Sequence, residues 1–174
     1  HYEVKKIITC CPHDYNTLLN EYLEFDGKYE VIHHSEFLQK LIVEKKINIQ
    51  DGIFKNKKIT FHDPCYLGRG NGEYQAPRDV LDAIPSEKVE MKRNKSFALC
   101  CGAGGGQMFK EAEKGEKEVF IERTEEAIKT GADIICTACP FCMVMMTDGI
   151  KYKNKEEVMK NYDLAELVSK SLML

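Results

Sequence analysis

At 174 residues, with 43% hydrophobic and 30% charged side chains, the chain has the apolar content of one ordinary globular domain or two small, closely packed ones, which excludes a disordered segment. A formal net charge of −3 excludes the basic footprint of a nucleic-acid binder, and no apolar run approaches the roughly 18–20 residues of a membrane span. The polypeptide reads as soluble and cytoplasmic. It begins His1-Tyr2-Glu3-Val4 and enters directly into a strand-like run, so upstream domains are expected, with membrane association of a longer protein left open.

Short apolar runs alternate with helical patterns, the signature of βα units around a mainly parallel sheet. Lys6-Ile7-Ile8-Thr9-Cys10 reads as a buried strand, residues 16–25 as a helix, and Tyr29 to His33 as a second strand. Ser35 is the expected cap of a helix bearing Phe37, Leu38, Leu41 and Ile42 at helical spacing. Lys58 to His62 is a further strand, ended by Asp63-Pro64 because proline cannot donate to a ladder. A lid is expected from Gly68 to Tyr74, a helix from Pro77 to Ile84 and a strand from Lys88 to Met91. Gln107 to Thr130 has the period of one long amphipathic helix closed by Gly131, followed by a strand from Ala132 to Ile135. Helices from Pro140 to Gly149 and from the Asp163 cap to Leu172 complete the chain.

The run Ile7-Ile8-Thr9-Cys10-Cys11-Pro12-His13, with its later Ser35-Glu36-Phe37-Leu38, returns as Ile134-Ile135-Cys136-Thr137-Ala138-Cys139-Pro140-Phe141 and Asp163-Leu164-Ala165-Glu166-Leu167. The expected organisation is therefore one and a half copies of a duplicated unit: residues 1–50 the second half of a truncated first copy, residues 51–174 a complete second copy.

Eight cysteines, at positions 10, 11, 65, 100, 101, 136, 139 and 142, are too many for core packing alone. Adjacent pairs and a Cys-x-x-Cys spacing favour metal or redox chemistry over a disulfide framework. Cys65, Cys100-Cys101 and Cys139-Pro140-Phe141-Cys142 each fall where a strand gives way to a loop or helix, so a parallel sheet would gather them at its carboxyl edge. Five thiolates exceed the four that a structural zinc or one ordinary cubane needs, pointing to an iron-sulfur centre of unusual ligation. Gly102, Gly104 and Gly105 form a backbone cradle which, opening onto the long helix, would aim amides at anionic sulfur. The same run departs from a dinucleotide fingerprint at Gln107 and lacks the lysine of a P-loop. Zinc, in a non-catalytic scaffold that docks other components of a redox complex, is the competing reading.

His33, His34 and His62 at strand ends read as hydrogen-bonded structural residues, with His13 the better candidate for proton work. Met143, Met145 and Met146 read as core, and residues 110–117 and 151–160 as solvated faces of mixed charge.

His62-Asp63-Pro64-Cys65-Tyr66-Leu67-Gly68-Arg69, Cys100-Cys101-Gly102-Ala103-Gly104-Gly105-Gly106 and Cys139-Pro140-Phe141-Cys142 resemble the cysteine-rich "CCG" domain found in heterodisulfide reductase and in the iron-sulfur components of glycolate, lactate and glycerol-3-phosphate oxidising complexes. The resemblance spans nearly the whole chain and is greatest to fused iron-sulfur oxidoreductases, in which a ferredoxin-like domain precedes two CCG domains. It implies a pseudo-duplicated, parallel-rich α/β fold and a non-cubane [4Fe-4S] cluster on Cys65, Cys100, Cys101, Cys139 and Cys142, with zinc or an empty site when the protein is prepared in air. It also implies an oxidoreductase whose partners are other redox domains or polypeptides, a ferredoxin-like domain or a flavoprotein, with this piece inactive by itself. Cys136 lies outside the pattern. In the first copy Cys11-Pro12-His13-Asp14 replaces Cys-x-x-Cys, leaving Cys11, His13 and Asp14 as the remnant of a second metal site.

Overall fold

A computed structural model describes residues 3–50, 52–112 and 114–172. Among these residues six strands form two all-parallel sheets. The first pairs β1 (Lys6–Thr9) with β2 (Glu30–His33), and the second has the order β4-β3-β5-β6, built from β3 (Lys58–Phe61), β4 (Glu87–Lys88), β5 (Ile134–Thr137) and β6 (Lys160–Asp163). The α/β, parallel-rich class read from the sequence is the class observed.

Each parallel pair requires a crossover, and helices supply most of them. Between β1 and β2 the chain is helical from Pro12: α1 (Pro12–Asn16) passes into a π turn (Thr17–Glu21) and a 3-10 turn (Tyr22–Phe25) before Asp26 breaks it in left-handed backbone at φ 59°. The helix starts earlier than its hydrophobic period suggested, because proline is favoured at a first helical position where no amide partner is needed. α2 (His34–Val43) follows β2, capped by His33 and not by Ser35: the His33 side chain accepts from the Ser35 amide, and Glu36 takes the His33 amide at 2.9 Å. His33 Nδ1 lies 2.7 Å from Ser35 Oγ, and His34 Nε2 3.2 Å from Asp163 Oδ1, so both histidines are partnered as structural residues.

The four-stranded sheet lies between two helical layers. One face buries Ile59, Phe61, Ile134 and Cys136 with Val80, Leu81 and Ile84 of α4 (Gln75–Ala83) and its end, and with Leu164, Leu167 and Val168 of α7 (Leu164–Ser171). The other buries Ile135 with Ala127 of α5 (Val119–Lys129) and Met145, Met146 and Ile150 of α6 (Pro140–Tyr152). Strand alternation therefore turns Cys136 to one layer while Cys101, Cys139 and Cys142 belong to the other. Met145 and Met146 are core, as their spacing implied.

Four expectations need correction, the first being the buried strand from Lys6, since β1 leaves Lys6 and Ile8 exposed. The helix from Gln107 begins only at Val119: residues 104–109 form a 3-10 segment, and the charged stretch around Gly115 is exposed, carrying no apolar stripe to bury. The strand ending at Met91 pairs only through Lys88, with one further bond from the Val89 amide to Ile59, because the chain then leaves the sheet edge. The Gly68–Tyr74 stretch holds a helical turn, α3 (Gly68–Asn71), tied by Arg69 Nη1 to the Ala98 carbonyl at 2.6 Å and by Asn71 Nδ2 to the Tyr66 carbonyl at 2.7 Å. A Cβ on Gly68 would run into the Tyr74 ring.

Candidate metal centre

Three connections at the carboxyl edge of the four-stranded sheet carry the cysteines. β3 delivers His62-Asp63-Pro64-Cys65, the long excursion after β4 delivers Cys100 and Cys101, and β5 delivers Cys139 as the N-cap of α6, with Cys142 one turn inside. All five line one pocket, together with Pro64, Tyr66, Ala103 and Gly104, and with Pro12 and His13 from the N-terminal unit. The thiols shift one another's acidity in succession, Cys65 with Cys100, Cys100 with Cys101, Cys101 with Cys142 and Cys142 with Cys139.

Buried charge holds two of these loops together. Asp63 receives Arg78 in fork geometry, Nη1 to Oδ1 at 2.8 Å and Nη2 to Oδ2 at 3.0 Å, and also takes the Lys95 amide at 2.8 Å. The residue two before Cys65 thereby anchors the chain that runs on to Cys100. Arg78 also grips Glu90, and these carboxylates outweigh its burial and raise its pKa further.

Five thiols in one cavity cannot all ionise without positive charge in their midst. Hydrogen bonds from Cys101 and Cys65, with the Gly102 amide 3.3 Å from its sulfur, push Cys100 far down. Cys139 is lowered by Cys142 and by the amides of Cys142 and Phe141 in the first turn of α6. Cys65 is driven up, chiefly by its bond to Cys100 and by burial; Cys101 is raised to about 12, chiefly by Cys100; Cys142 is raised by Cys101 and Cys139. A cationic inorganic centre would relieve this repulsion, and an all-thiolate donor set of five, one more than a tetrahedral ion takes, fits an iron-sulfur group.

The glycine cradle is narrower than expected. Gly102, at φ 92°, gives its amide to Cys100, and a Cβ there would come within 3.2 Å of the Phe120 amide nitrogen. Gly104 lines the cavity, whereas Gly105, at φ 64°, belongs to the turn beyond it. Since no long helix follows, the amides aimed at sulfur from a helix start come from α6.

Of the remnant residues, Cys11 and His13 adjoin one another. Cys11 is buried and its thiol raised by that burial; His13 Nδ1 lies 3.8 Å from its sulfur, and the His13 ring stacks on Tyr66 at 4.4 Å and Phe141 at 5.1 Å. Asp14 is exposed. His13 thus faces the five-cysteine cavity.

Sequence reasoning set His62 aside as structural, yet its ring reaches the cavity's sulfurs. It is fully buried, and a ring nitrogen lies within 4.8 Å of the Cys101 and Cys142 sulfurs. Arg123 Nε donates to Nδ1 at 2.9 Å, and burial, then Arg123, holds the imidazole pKa down at about 3. The signal was non-local, since Arg123 stands 61 positions away.

A model of the cysteine-rich CCG domain matches residues 59–147, about half of the chain, from within β3 into the Cys-x-x-Cys helix. The chain belongs to the CCG family. Curated relatives extend the similarity to the first strands. The "Probable iron-sulfur-binding oxidoreductase FadF" of Bacillus subtilis is 44% identical over 172 residues, covering 98% of this chain and 24% of that protein. The "EtfAB:quinone oxidoreductase" of Syntrophomonas wolfei is 42% identical over 178 residues, covering 99% and 25%. A polypeptide of the dihydromethanophenazine:CoB–CoM heterodisulfide reductase of Methanosarcina barkeri is 39% identical over 178 residues, covering 98% and 41%. The chain thus spans about a quarter to two fifths of the length of these relatives. Among the described residues no helix is long and apolar enough to cross a membrane.

Proposed function

We propose that this chain is the electron-transfer module of an iron-sulfur oxidoreductase, in which Cys65, Cys100, Cys101, Cys139 and Cys142 hold one non-cubane [4Fe-4S] cluster. The observation that carries this reading is the convergence of all five sulfurs on a single cavity at the carboxyl edge of the sheet. When bound, such a cluster supplies one-electron redox chemistry. The protein's own part is to fix the sulfurs through the Asp63-Arg78 clasp, to offer the Gly102 and α6 amides to thiolate charge, and to cover the site with Pro12 and His13. Electrons would arrive from a ferredoxin-like domain or a flavoprotein, a reading supported by the relatives named as an EtfAB:quinone oxidoreductase and as a "Probable membrane-anchored ferredoxin". A disulfide substrate at this edge would take two such electrons and two protons to leave as two thiols. The chain alone carries the cluster; turnover requires the domains that supply electrons. Residues 1–50 are, on this reading, the second half of a first CCG copy, and residues 51–174 a complete second copy.

A zinc-stabilised scaffold has one observation in its favour, the His62-Cys101-Cys142 triangle. Tetrahedral zinc with bonds of about 2.3 Å would bring four sulfurs to roughly 3.8 Å of one another. Among the described residues no four cysteines gather even within 4.8 Å. Anaerobic reconstitution with iron and sulfide tests the choice: several irons and sulfides per chain, with a brown colour and a redox-sensitive paramagnetic signal, are expected. One stoichiometric zinc, unchanged by reconstitution, would transfer the case to the scaffold.

A further inference from the structure

The next step rests on the iron-sulfur reading and concerns how the protein addresses the cluster. The two nitrogens of the His62 ring have different surroundings. Nδ1 takes the Nε–H of Arg123 at 2.9 Å. A guanidinium has only donors, so Nδ1 can meet it only with a lone pair, and the ring proton must stand on Nε2. Among the described residues Nε2 is buried without a hydrogen-bond partner, while a ring nitrogen lies within 4.8 Å of the Cys101 and Cys142 sulfurs. A buried N–H lacking an acceptor is unfavourable, and a thiolate or cluster sulfide opposite it removes that deficit.

Arg123 is itself fixed. It is fully buried, and its Nη1 donates to the Arg93 carbonyl at 2.7 Å and to Glu126 Oε2 at 3.0 Å, the latter one turn along α5. Glu126 also receives Arg93 Nε at 3.1 Å. The orientation of the ring is therefore set from α5, not from the loop that bears it.

We propose that His62 is a positioning residue that gives its Nε2–H to the Cys101–Cys142 sulfur pair of the bound cluster and raises its reduction potential, with Arg123 enforcing the tautomer that allows it. The same tautomer removes His62 from the ligand set, because a protonated nitrogen has no lone pair for a metal. What distance alone presents as a three-ligand metal site is one donor facing two acceptors. Reduction adds negative charge to the centre, and an N–H directed at its sulfur favours that state.

Histidine tautomers are read on the unloaded wild-type chain, labelled with 15N-histidine, from long-range proton–nitrogen correlations; His62 is expected as the Nε2–H form, and an Nδ1–H form overturns the proposal. On the anaerobically reconstituted chain, an EPR-monitored redox titration should find His62→Leu harder to reduce by about tenfold in equilibrium constant, ~59 mV for one electron. His62→Gln, which keeps an N–H, should recover part of that shift. Equal potentials for wild type and His62→Leu overturn the inference while leaving the cluster assignment standing. A strong directly bonded nitrogen coupling in pulsed EPR of the wild type overturns it as well. A wild type that takes up no iron sinks both. If His62→Leu does not fold, the tautomer and the nitrogen coupling decide on the wild type alone.

Discussion

Cys11-Pro12 and Cys139-Pro140 occupy the same place in two equivalent βαβα units. Each cysteine is a helix N-cap and each proline opens the helix; the preceding strand pairs in parallel with the next, Thr9 opposite His33 in one unit and Thr137 opposite Asp163 in the other. Each second helix carries a capping box, His33 with Glu36 and Asp163 with Glu166. The difference lies three residues past the cap, where the first unit has exposed Asp14 and the second has buried Cys142. Around Cys139 two further connections bring Cys65, Cys100 and Cys101, whereas the described part of the first unit adds only exposed Cys10. A helix start presents one sulfur well; a polynuclear site needs loops from several strands to converge on it.

The comparison breaks most visibly at Cys101. Cys101→Ser should lose most of its iron after reconstitution, beyond the ~10–100-fold in affinity that losing even an outer partner costs, while Cys11→Ser should keep wild-type iron. Equal losses in a colorimetric iron assay would erase the distinction between the units.

Acidity separates them next. Cys65, Cys101 and Cys142 have raised pKa values and hold their protons at neutral pH. Metal must displace those protons, so affinity falls as pH drops and rises as it climbs, by roughly tenfold per pH unit for each thiol that ionises on binding. Calorimetric titration with Cd²⁺ from about pH 6 to 9 should show a slope steeper than one proton; a flat profile would contradict the clustered site.

Two smaller effects probe the supports. Arg78→Met leaves the Asp63 carboxylate buried with only the Lys95 amide, and should cost about 3 kcal/mol in urea unfolding. An unchanged midpoint would show that the clasp does not hold the Cys65 loop. Gly102→Ala forces a side chain into left-handed backbone and should cost about 1–2 kcal/mol. The Cys136→Ser variant should leave the iron count untouched, because that sulfur faces the α4/α7 layer.

Much of this was legible along the chain because it is local. Cys139-Pro140 and Asp63-Pro64-Cys65 mark strand ends by their prolines, and the run Ile134-Ile135-Cys136 gives away a buried strand. The helix expected from Gln107 failed because its periodic residues, Ile121, Thr124, Ala127 and Ile128, all lie past Val119, and the charged stretch before them had nothing to pack against. His62 could not be placed because its part depends on Arg123, a residue brought to it only by packing α5 against the sheet.

The central claim is most directly tested by an anaerobic crystal structure of the reconstituted chain. It should show the sulfurs of residues 65, 100, 101, 139 and 142 all bonded to iron of one cluster, with His62 Nε2 facing sulfur. A single metal ion bonded to Cys101, Cys142 and His62, with Cys65 left free, would contradict it.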